Sequence, residues 1–247
     1  MRPHEYHVLA ALEGKHWWYR ALRRRLLAKL EQEARRKNRP LRVFDAGCGT
    51  GAWLGVLSLH KDIQAAEGCD LHPLAVGYAQ ARGLKVERRS VNALGGLPAD
   101  WDVVCSIDVL YHREVDPQRA LEGMAALLAP GGMLLLNVAA MPCLSRPHDD
   151  NVMGARRYLP TGLRKSVEAA GLHTETLCYW NSWLTPFLWV AIRLGERPRT
   201  GEASALQQPP GWLNESLNGV LEMEGRLAPM LPLPWGSSLL LTARKSP

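Results

Sequence analysis

The chain is 247 residues long and carries 30 Lys and Arg against 24 Asp and Glu, a formal net charge of +6. Hydrophobic residues make up 47% and charged residues 22%, ordinary globular values that exclude wholesale disorder and a multi-span membrane protein. This length suffices for one α/β domain with elaborations and a full hydrophobic core. The modest positive charge permits an anionic partner without requiring one.

The five cysteines are scattered, without a C-x-x-C pair or the Cys/His spacing of a metal site. We therefore expect reduced thiols, no bound metal and a cytoplasmic protein. The N-terminal segment is interrupted by Glu, Lys and His and lacks the apolar core of a signal peptide. The longest apolar stretch, residues 176–194, contains Asn181, Ser182 and Pro186, which argue against a transmembrane helix.

Residues 4–37 are predicted to form one helix, because apolar residues recur at intervals of four on one face. These residues are Trp18, Leu22, Leu26 and Leu30. Arginines and a lysine fill much of the remaining surface, and Asn38 and Pro40 end the helix. We expect residues 1–40 to form a basic helical cap.

Short apolar runs then alternate with helix-length segments. Strands are predicted at residues 41–44, 63–69, 84–88, 101–107, 133–138 and 173–179. Helices are predicted between them at residues 52–60, 73–82, 118–128 and 161–170. This alternation predicts βαβ units and a mostly parallel sheet with helices on both faces, which is a doubly wound, Rossmann-like α/β fold.

The pattern changes at residues 182–236, which combine apolar helical pieces with a polar link and a Pro-rich exit. We interpret this segment as a helical insertion before a last strand at residues 237–243. The core would then comprise residues 41–181 and 237–247. Long insertions in compact domains are usually functional or mobile, so this one is a candidate lid, acceptor wall or docking surface.

A glycine turn follows the first strand, with Gly47, Gly49 and Gly51 in the sequence DAGCGTG. Glycine allows a ligand to approach the backbone closely, and the next helix presents unpaired N–H groups. Gly47, Gly49 and Ala52 also satisfy the dinucleotide pattern G-x-G-x-x-[G/A], and Asp70 suits the ribose of either cofactor. The turn alone therefore leaves a nicotinamide cofactor and S-adenosylmethionine both open.

Three motifs in order resemble those of class I S-adenosylmethionine-dependent methyltransferases, of the small-molecule type 11/12 kind. LRVFDAGCGTG resembles the first motif, WDVVCSIDVLYH the fourth-strand motif and LLAPGGMLLLNV the fifth-strand motif. The resemblance covers about residues 41–180 and implies a Rossmann-like sheet with an antiparallel last strand. It does not account for the basic first helix or for residues 182–236.

The resemblance also implies which residues bind S-adenosylmethionine. Gly47, Cys48, Gly49 and Gly51 would line its methionine and ribose portion, and Asp45 would help hold the amino group. Asp70, with Leu71 beside it, would accept from the ribose hydroxyls. Asn92 and Ala93 fall where the family contacts adenine, although Asn replaces the usual Asp, and the backbone at Ile107 and Asp108 would border the sulfonium. Asp45 as a helix-start carboxylate and Asn92 as a turn residue are the structural alternatives.

Methyl transfer to a hydroxyl needs alignment and a positioned base. His112, after the fourth strand, is the first candidate base, and His148, beside Asp149, is the second. Tyr111 is a candidate cavity residue. Arg157 and Tyr158 are candidates for binding an anionic acceptor, with structural pairing as the alternative.

Nine tryptophans stand against two phenylalanines. Trp18 on the first helix and Trp183 in the insertion are candidate residues of a large apolar acceptor site. A membrane interface, where indole rings and basic residues are favoured, and a plain core role are the alternatives. We expect no nucleic-acid partner, since the charge concentrates on one helix and no binding motif occurs.

We therefore expect methyl transfer to an oxygen, or next a carbon, of a small hydrophobic, lipid-like or natural-product acceptor. The other hypotheses are a nicotinamide-dependent oxidoreductase and a non-catalytic cofactor-binding or membrane-docking protein.

Overall fold

The computed structural model describes residues 3–145, 154, 156–194, 208–228, 230 and 232–247. Within these ranges the chain forms a seven-stranded sheet in the order β3-β2-β1-β4-β5-β7-β6. The strands are β1 Leu41–Ala46, β2 Ile63–Asp70, β3 Lys85–Arg88, β4 Trp101–Ile107, β5 Leu128–Ala139, β6 Leu172–Trp180 and β7 Ser238–Lys245. All neighbouring pairs are parallel except those of β7, which runs antiparallel to β5 and β6. The predicted fold class, including the antiparallel last strand, is confirmed.

Helices cover both faces of the sheet. They are α1 Pro3–Leu12, α2 Trp17–Lys37, α3 Ala52–Ser58, α4 Pro73–Ala81, α5 Pro117–Leu127, α6 Pro160–Ala169, α7 Thr185–Arg193 and α8 Gly211–Leu227. Residues of α2, α3, α4 and α8 share one apolar cluster with the sheet, and residues of α5 and α6 share the other. Because β4 is central and covered on both sides, six of its seven residues are buried, as its continuous apolar run predicts.

The N-terminal segment forms two helices where one was predicted. The helix is interrupted by a break at residues 13–16, which contain Gly14. His16 then caps α2 by accepting a hydrogen bond from the Trp18 N–H at 3.3 Å. Glu13 is buried in this break and accepts from the Thr50 hydroxyl at 2.5 Å and from Arg82 at 2.8 Å. The break therefore lets the N-terminal helices contact the glycine turn.

The insertion helix α8 packs along α2 through polar contacts. Asn214 accepts from the Trp17 N–H at 2.9 Å and donates to the Lys15 carbonyl at 3.1 Å. Asn218 accepts from Arg24 at 2.7 Å. Arg20 and Arg25 of α2 likewise donate to Glu215 and to the Leu221 carbonyl of α8, so the basic face predicted from the sequence is partly an internal interface.

In the described part of the chain, every helix is too short or too polar to span a bilayer.

Candidate active site

The glycine turn connects β1 to α3 at the carboxyl edge of the sheet. The N–H groups of Gly47 and Cys48 donate to the Cys69 carbonyl at 2.8 and 2.9 Å, which ties the turn to the end of β2. Gly47, Gly49 and Gly51 all have positive φ. A Cβ at Gly47 would lie 2.4 Å from Val109 Cγ2, whereas one at Gly49 would meet nothing within 4 Å. Gly49 therefore borders open space in which a ligand can approach the backbone.

Asp45 is the penultimate residue of β1 and is 2% exposed. Its Oδ1 atom is buried and, among the described residues, has no hydrogen-bond partner. Burial and, to a lesser extent, the charge of Asp70 raise the pKa of Asp45 to about 7. A buried acceptor of this kind is costly unless a donor reaches it, which fits a ligand amino group or water at this position.

Asp70 ends β2 and faces the glycine turn. Its Oδ2 accepts from the Gly49 N–H and its Oδ1 from the His72 N–H, both at 2.9 Å. Burial raises the pKa of Asp70, although these two hydrogen bonds oppose the shift. A carboxylate has about four lone-pair positions, so it can accept two more hydrogen bonds, as a ribose diol would require. The neighbouring Leu71 side chain is exposed.

Ile107 is the last residue of β4, and Asp108 follows it with a positive φ of 59°. Asn137 of β5 binds Asp108 twice: its carbonyl accepts from the Asp108 N–H at 2.9 Å, and its Nδ2 donates to Asp108 Oδ1 at 3.0 Å. Burial raises the pKa of Asp108 to about 7, although the hydrogen bond from Asn137 opposes the shift. The polar Asn137 within the apolar LLLNV strand was the sequence signal that could have identified it.

Asn92 uses its side chain to hold the loop after β4. Its Nδ2 donates to the Glu114 carbonyl at 2.8 Å, and its Oδ1 accepts from the Asp116 N–H at 3.0 Å. Ala93 continues the same turn, with its N–H donating to Ser90. These contacts are those of the structural alternative, and the predicted contact with adenine stays a prediction.

His112 lies on the loop after β4, where its backbone pairs with Gly154 and its ring lies 4.7 Å from that of Tyr111. Both side chains are half-buried near the carboxyl edge of the sheet. The second candidate base, His148, lies outside the described residues, as does Asp149. The role of His112 as a base stays a prediction.

Arg157 and Tyr158 run beside the end of β5. Arg157 donates to the Ala140 carbonyl at 3.2 Å, and the Tyr158 hydroxyl donates to the Leu110 carbonyl at 3.0 Å. Arg156 donates to the same Leu110 carbonyl at 3.1 Å. These bonds brace the loop that carries Tyr111 and His112, and binding of an anionic acceptor stays a prediction.

Tryptophans of α2, of the end of β6 and of the segment that follows it lie at the same edge. Trp18 stacks on Trp180, with ring centroids 5.3 Å apart, and the Trp183 N–H donates to Glu224 of α8 at 3.0 Å. The Trp180 indole donates to Asn137 Oδ1 at 2.7 Å. Trp18 therefore belongs to a contact network that reaches Asp108 through Trp180 and Asn137, although Asn137 was absent from the predicted site.

Two tyrosines of the N-terminal helices also reach the crevice and were not predicted. The Tyr6 ring stacks on His72 at 4.2 Å, and burial together with the charges of Asp70 and Glu114 raises the pKa of its phenol. Burial, then Asp108 among nearby acids, likewise raises the pKa of Tyr19. The N-terminal helices therefore cover the crevice above the ends of β2 and β4.

These residues fit the adenosyl and methionine groups of S-adenosylmethionine. Open space at Gly49 admits the ligand, Asp70 retains acceptor capacity for a diol, and Asp45 offers a buried oxygen to an amino group. A comparison with known protein families decides the class. A family model described as a methyltransferase domain matches residues 16–186, more than half of the chain.

The chain belongs to this methyltransferase family.

Two curated relatives are similar to part of this chain. The protein named "Probable tRNA methyltransferase 9B" of Mus musculus is 33% identical over 138 residues, 54% of this chain and 30% of that protein. Malonyl-[acyl-carrier protein] O-methyltransferase of Herminiimonas arsenicoxydans is 31% identical over 149 residues, 58% of this chain and 56% of that protein. This methyltransferase therefore spans about a third of the first relative's length and little more than half of the second's.

Solved structures share the fold of this methyltransferase. One belongs to the complex of the Haloferax volcanii Trm112 methyltransferase activator with a methyltransferase, at 21% identity and a TM-score of 0.56, covering 85% of this chain and 83% of that chain. Another is magnesium protoporphyrin IX methyltransferase of Synechocystis PCC 6803 with bound S-adenosylmethionine, at 15% identity and a TM-score of 0.52, covering 92% of this chain and 81% of that chain.

The predicted family, and S-adenosylmethionine as its cofactor, are confirmed by the family match and the fold. The prediction that excluded a nucleic-acid partner is wrong. It fails because a tRNA methyltransferase is among the relatives, and a methyltransferase complexed with a protein activator is among the structural neighbours. The absence of a sequence motif for nucleic acid was too weak a reason, since a methyltransferase fold carries the same motifs whatever its acceptor.

Proposed function

We propose that this methyltransferase transfers the methyl group of S-adenosylmethionine to an oxygen atom of a small apolar acceptor. The observation that carries the proposal is the glycine turn, with its free space at Gly49, beside the carboxylates of Asp45 and Asp70. Oxygen is favoured because one of the relatives, malonyl-[acyl-carrier protein] O-methyltransferase, is an O-methyltransferase by name.

Aromatic side chains support an apolar acceptor. Trp18 contacts both Tyr19 and Trp180, with ring centroids 5.0 and 5.3 Å apart, and Trp180 connects to Asp108 through Asn137. Such a group excludes water and offers flat apolar surface, which strengthens the electrostatic interactions inside the crevice.

The bound cofactor supplies an electrophilic methyl group on a sulfonium, with a neutral thioether as leaving group. The chain's own task is alignment and exclusion of water. Asp70 would fix the ribose and Asp45 the amino group. The N-terminal helices would cover the crevice, since Glu13 binds Thr50 of the turn and Tyr6 stacks on His72. A base at the carboxyl end of β4, after which both Asp108 and His112 lie, would take the proton of a hydroxyl acceptor.

The test compares Gly49→Ala with Gly83→Ala by calorimetry with S-adenosylhomocysteine. Both glycines have positive φ, 55° and 76°, and a Cβ at either would meet nothing within 4 Å. Both variants therefore suffer the same backbone strain of about 1–2 kcal/mol. Because the added methyl group fills the proposed ligand space only at position 49, we expect Gly49→Ala alone to lose about tenfold or more in affinity.

The proposal fails if the wild-type protein does not bind S-adenosylhomocysteine at millimolar concentration, or if it binds NAD more tightly. Equal losses in the two glycine variants would also contradict it, because strain alone would then explain the effect.

A second candidate acceptor is an RNA nucleoside. The similarity to a tRNA methyltransferase over 54% of this chain favours it. Incubation with S-adenosylmethionine carrying a tritiated methyl group, once with an organic extract of cells and once with total tRNA, separates the two candidates. Label in the extract supports a small acceptor, and label in the RNA supports the nucleoside.

A further inference from the structure

Asp108 has an unusual backbone and an unusual position. Its φ of 59° is a conformation that residues other than glycine adopt rarely, at a cost of about 1 kcal/mol or more. The next residue, Val109, packs so closely on Gly47 that a Cβ there would lie 2.4 Å from it. Asp108 is therefore held beside the glycine turn, in a strained conformation that its surroundings must maintain.

Asn137 fixes the direction of the Asp108 carboxylate. The Trp180 indole N–H can only donate, and it donates to Asn137 Oδ1 at 2.7 Å. The amide nitrogen of Asn137 must therefore face Asp108, where it donates to Oδ1 at 3.0 Å. Because both ends of the amide are assigned, Asn137 has one orientation, and so does the carboxylate it holds.

Trp180 is itself held by two helices. Its ring stacks on Trp18 of α2, and the guanidinium of Arg25 lies 4.9 Å from its centroid. Arg25 in turn donates to the Leu221 carbonyl of α8 at 2.8 Å and contacts Glu224 at 3.4 Å. The support of Asp108 thus extends from the sheet to the insertion helix.

The charge of Asp108 has no cationic partner among the described residues. The Asp108 carboxylate accepts a side-chain hydrogen bond from Asn137, and its charge is one of the causes that raise the pKa of the Tyr19 phenol. A carboxylate in a partly buried crevice retains strong acceptor capacity, and a hydrogen-bond donor from a ligand would stabilise it.

We propose that the Asp108 carboxylate binds the hydroxyl group of the methyl acceptor and takes its proton, with Asn137 and Trp180 as positioning residues. This inference rests on the proposed methyl transfer at the same crevice. In the step, the acceptor oxygen forms a bond to the methyl carbon, the carbon–sulfur electron pair stays on sulfur, and the hydroxyl proton passes to Asp108.

The proposed role of Asp108 can be tested by ligand binding, which does not require the acceptor to be known. Sinefungin carries a protonated amine at the place of the sulfonium methyl group, whereas S-adenosylhomocysteine carries no charge there. The amine would reach the acceptor side and bind Asp108, so the wild-type protein should prefer sinefungin. We expect Asp108→Asn, which keeps the contact with Asn137, to reduce this preference about tenfold or more by calorimetry. Its affinity for S-adenosylhomocysteine should stay within about threefold.

Trp180→Phe removes the indole donor and should reduce the same preference by about threefold, because Asn137 is then free to reorient. Trp101→Phe is the matched control, since this buried indole nitrogen has no hydrogen-bond partner among the described residues. The control should leave the preference unchanged. If Asp108→Asn does not fold, Asp108→Ser replaces it.

The inference is overturned if the folded Asp108 variant keeps the wild-type preference for sinefungin over S-adenosylhomocysteine. It is also overturned if the variant loses affinity for both compounds equally, because Asp108 would then bind a part that the two compounds share. Failure of the wild-type protein to bind either compound overturns the proposed function instead.

Discussion

The buried carboxyl group of Asp45 does not stabilise the folded protein. It is 2% exposed, its pKa is raised to about 7, and one of its oxygens has no partner among the described residues. Natural proteins keep such costly groups where function needs them, at the expense of stability. Stability and cofactor binding should therefore respond to this residue in opposite directions.

We expect Asp45→Asn to stabilise the ligand-free protein at pH 8. In the unfolded chain this carboxyl keeps its ordinary pKa of 3.8, and in the folded chain its pKa is about 7. Between these values the folded state binds more protons, so the free energy of unfolding falls as pH rises through the window and is constant above it. The substitution should add roughly 1–3 kcal/mol at pH 8 and almost nothing near pH 4.

Urea unfolding at pH 8, 6 and 4 measures this effect, and calorimetry with S-adenosylhomocysteine should show weaker binding by the same variant. A stability change that is the same at every pH would mean that Asp45 is not a buried ionised group in the folded protein.

At the scale of elements, the contact between α2 and α8 depends on polar side chains that are buried in the interface. Asn214 and Asn218 are 4% and 6% exposed and satisfy groups on or just before α2. A buried N–H or carbonyl group that loses its partner costs more than the hydrogen bond itself contributed. The position of α8 should therefore be sensitive to single amide side chains.

Asn214→Ala leaves the Trp17 N–H and the Lys15 carbonyl unpaired and should destabilise the protein by about 1–3 kcal/mol in urea unfolding. Glu222→Ala, at an exposed ion pair with Arg226 on the same helix, should cost less than about 0.5 kcal/mol. Similar costs for the two variants would show that α8 contributes little to the folded unit.

Periodicity predicted the elements of the sheet and their helices, because apolar spacing reports burial directly. It did not predict the break at residues 13–16, since an isolated Gly14 is tolerated within a helical pattern. Nor did it predict that Arg24 binds Asn218, a residue 194 positions away, because such pairing is decided by tertiary structure. For the same reason the arginines of α2 resembled a solvated or membrane-facing surface.

At the scale of the molecule, one edge of the sheet carries the candidate site. The carboxyl ends of β1, β2 and β4 bring Asp45, Asp70 and Asp108 together, as expected for a parallel sheet. The motifs could identify these residues because they lie next to the strands in sequence. Trp180 and Tyr19 lie outside these motifs, since they reach the same edge through β6 and a covering helix.

Glu13 connects three parts of the molecule at this edge. From the break between α1 and α2, it accepts hydrogen bonds from Thr50 of the glycine turn and from Arg82 at the end of α4. Its side chain and that of Thr50 are both buried, so the Thr50 hydroxyl would lose its partner without access to water if Glu13 were removed. Glu13 therefore supports the position of α1 over the crevice, together with the stacking of Tyr6 on His72.

We expect Glu13→Ala to release α1 from the crevice while the sheet stays folded. Hydrogen exchange measured by mass spectrometry should speed up about tenfold or more in residues 3–12, since a local loss of about 1–3 kcal/mol opens that element first. Affinity for S-adenosylhomocysteine should fall with it, because α1 carries Tyr6 beside Asp70. Glu31→Ala, at a half-exposed position of α2 away from the crevice contacts described above, is the control and should change neither measurement. Faster exchange spread evenly over α1 and α5 would instead indicate a loss of global stability and would refute a local covering role for α1.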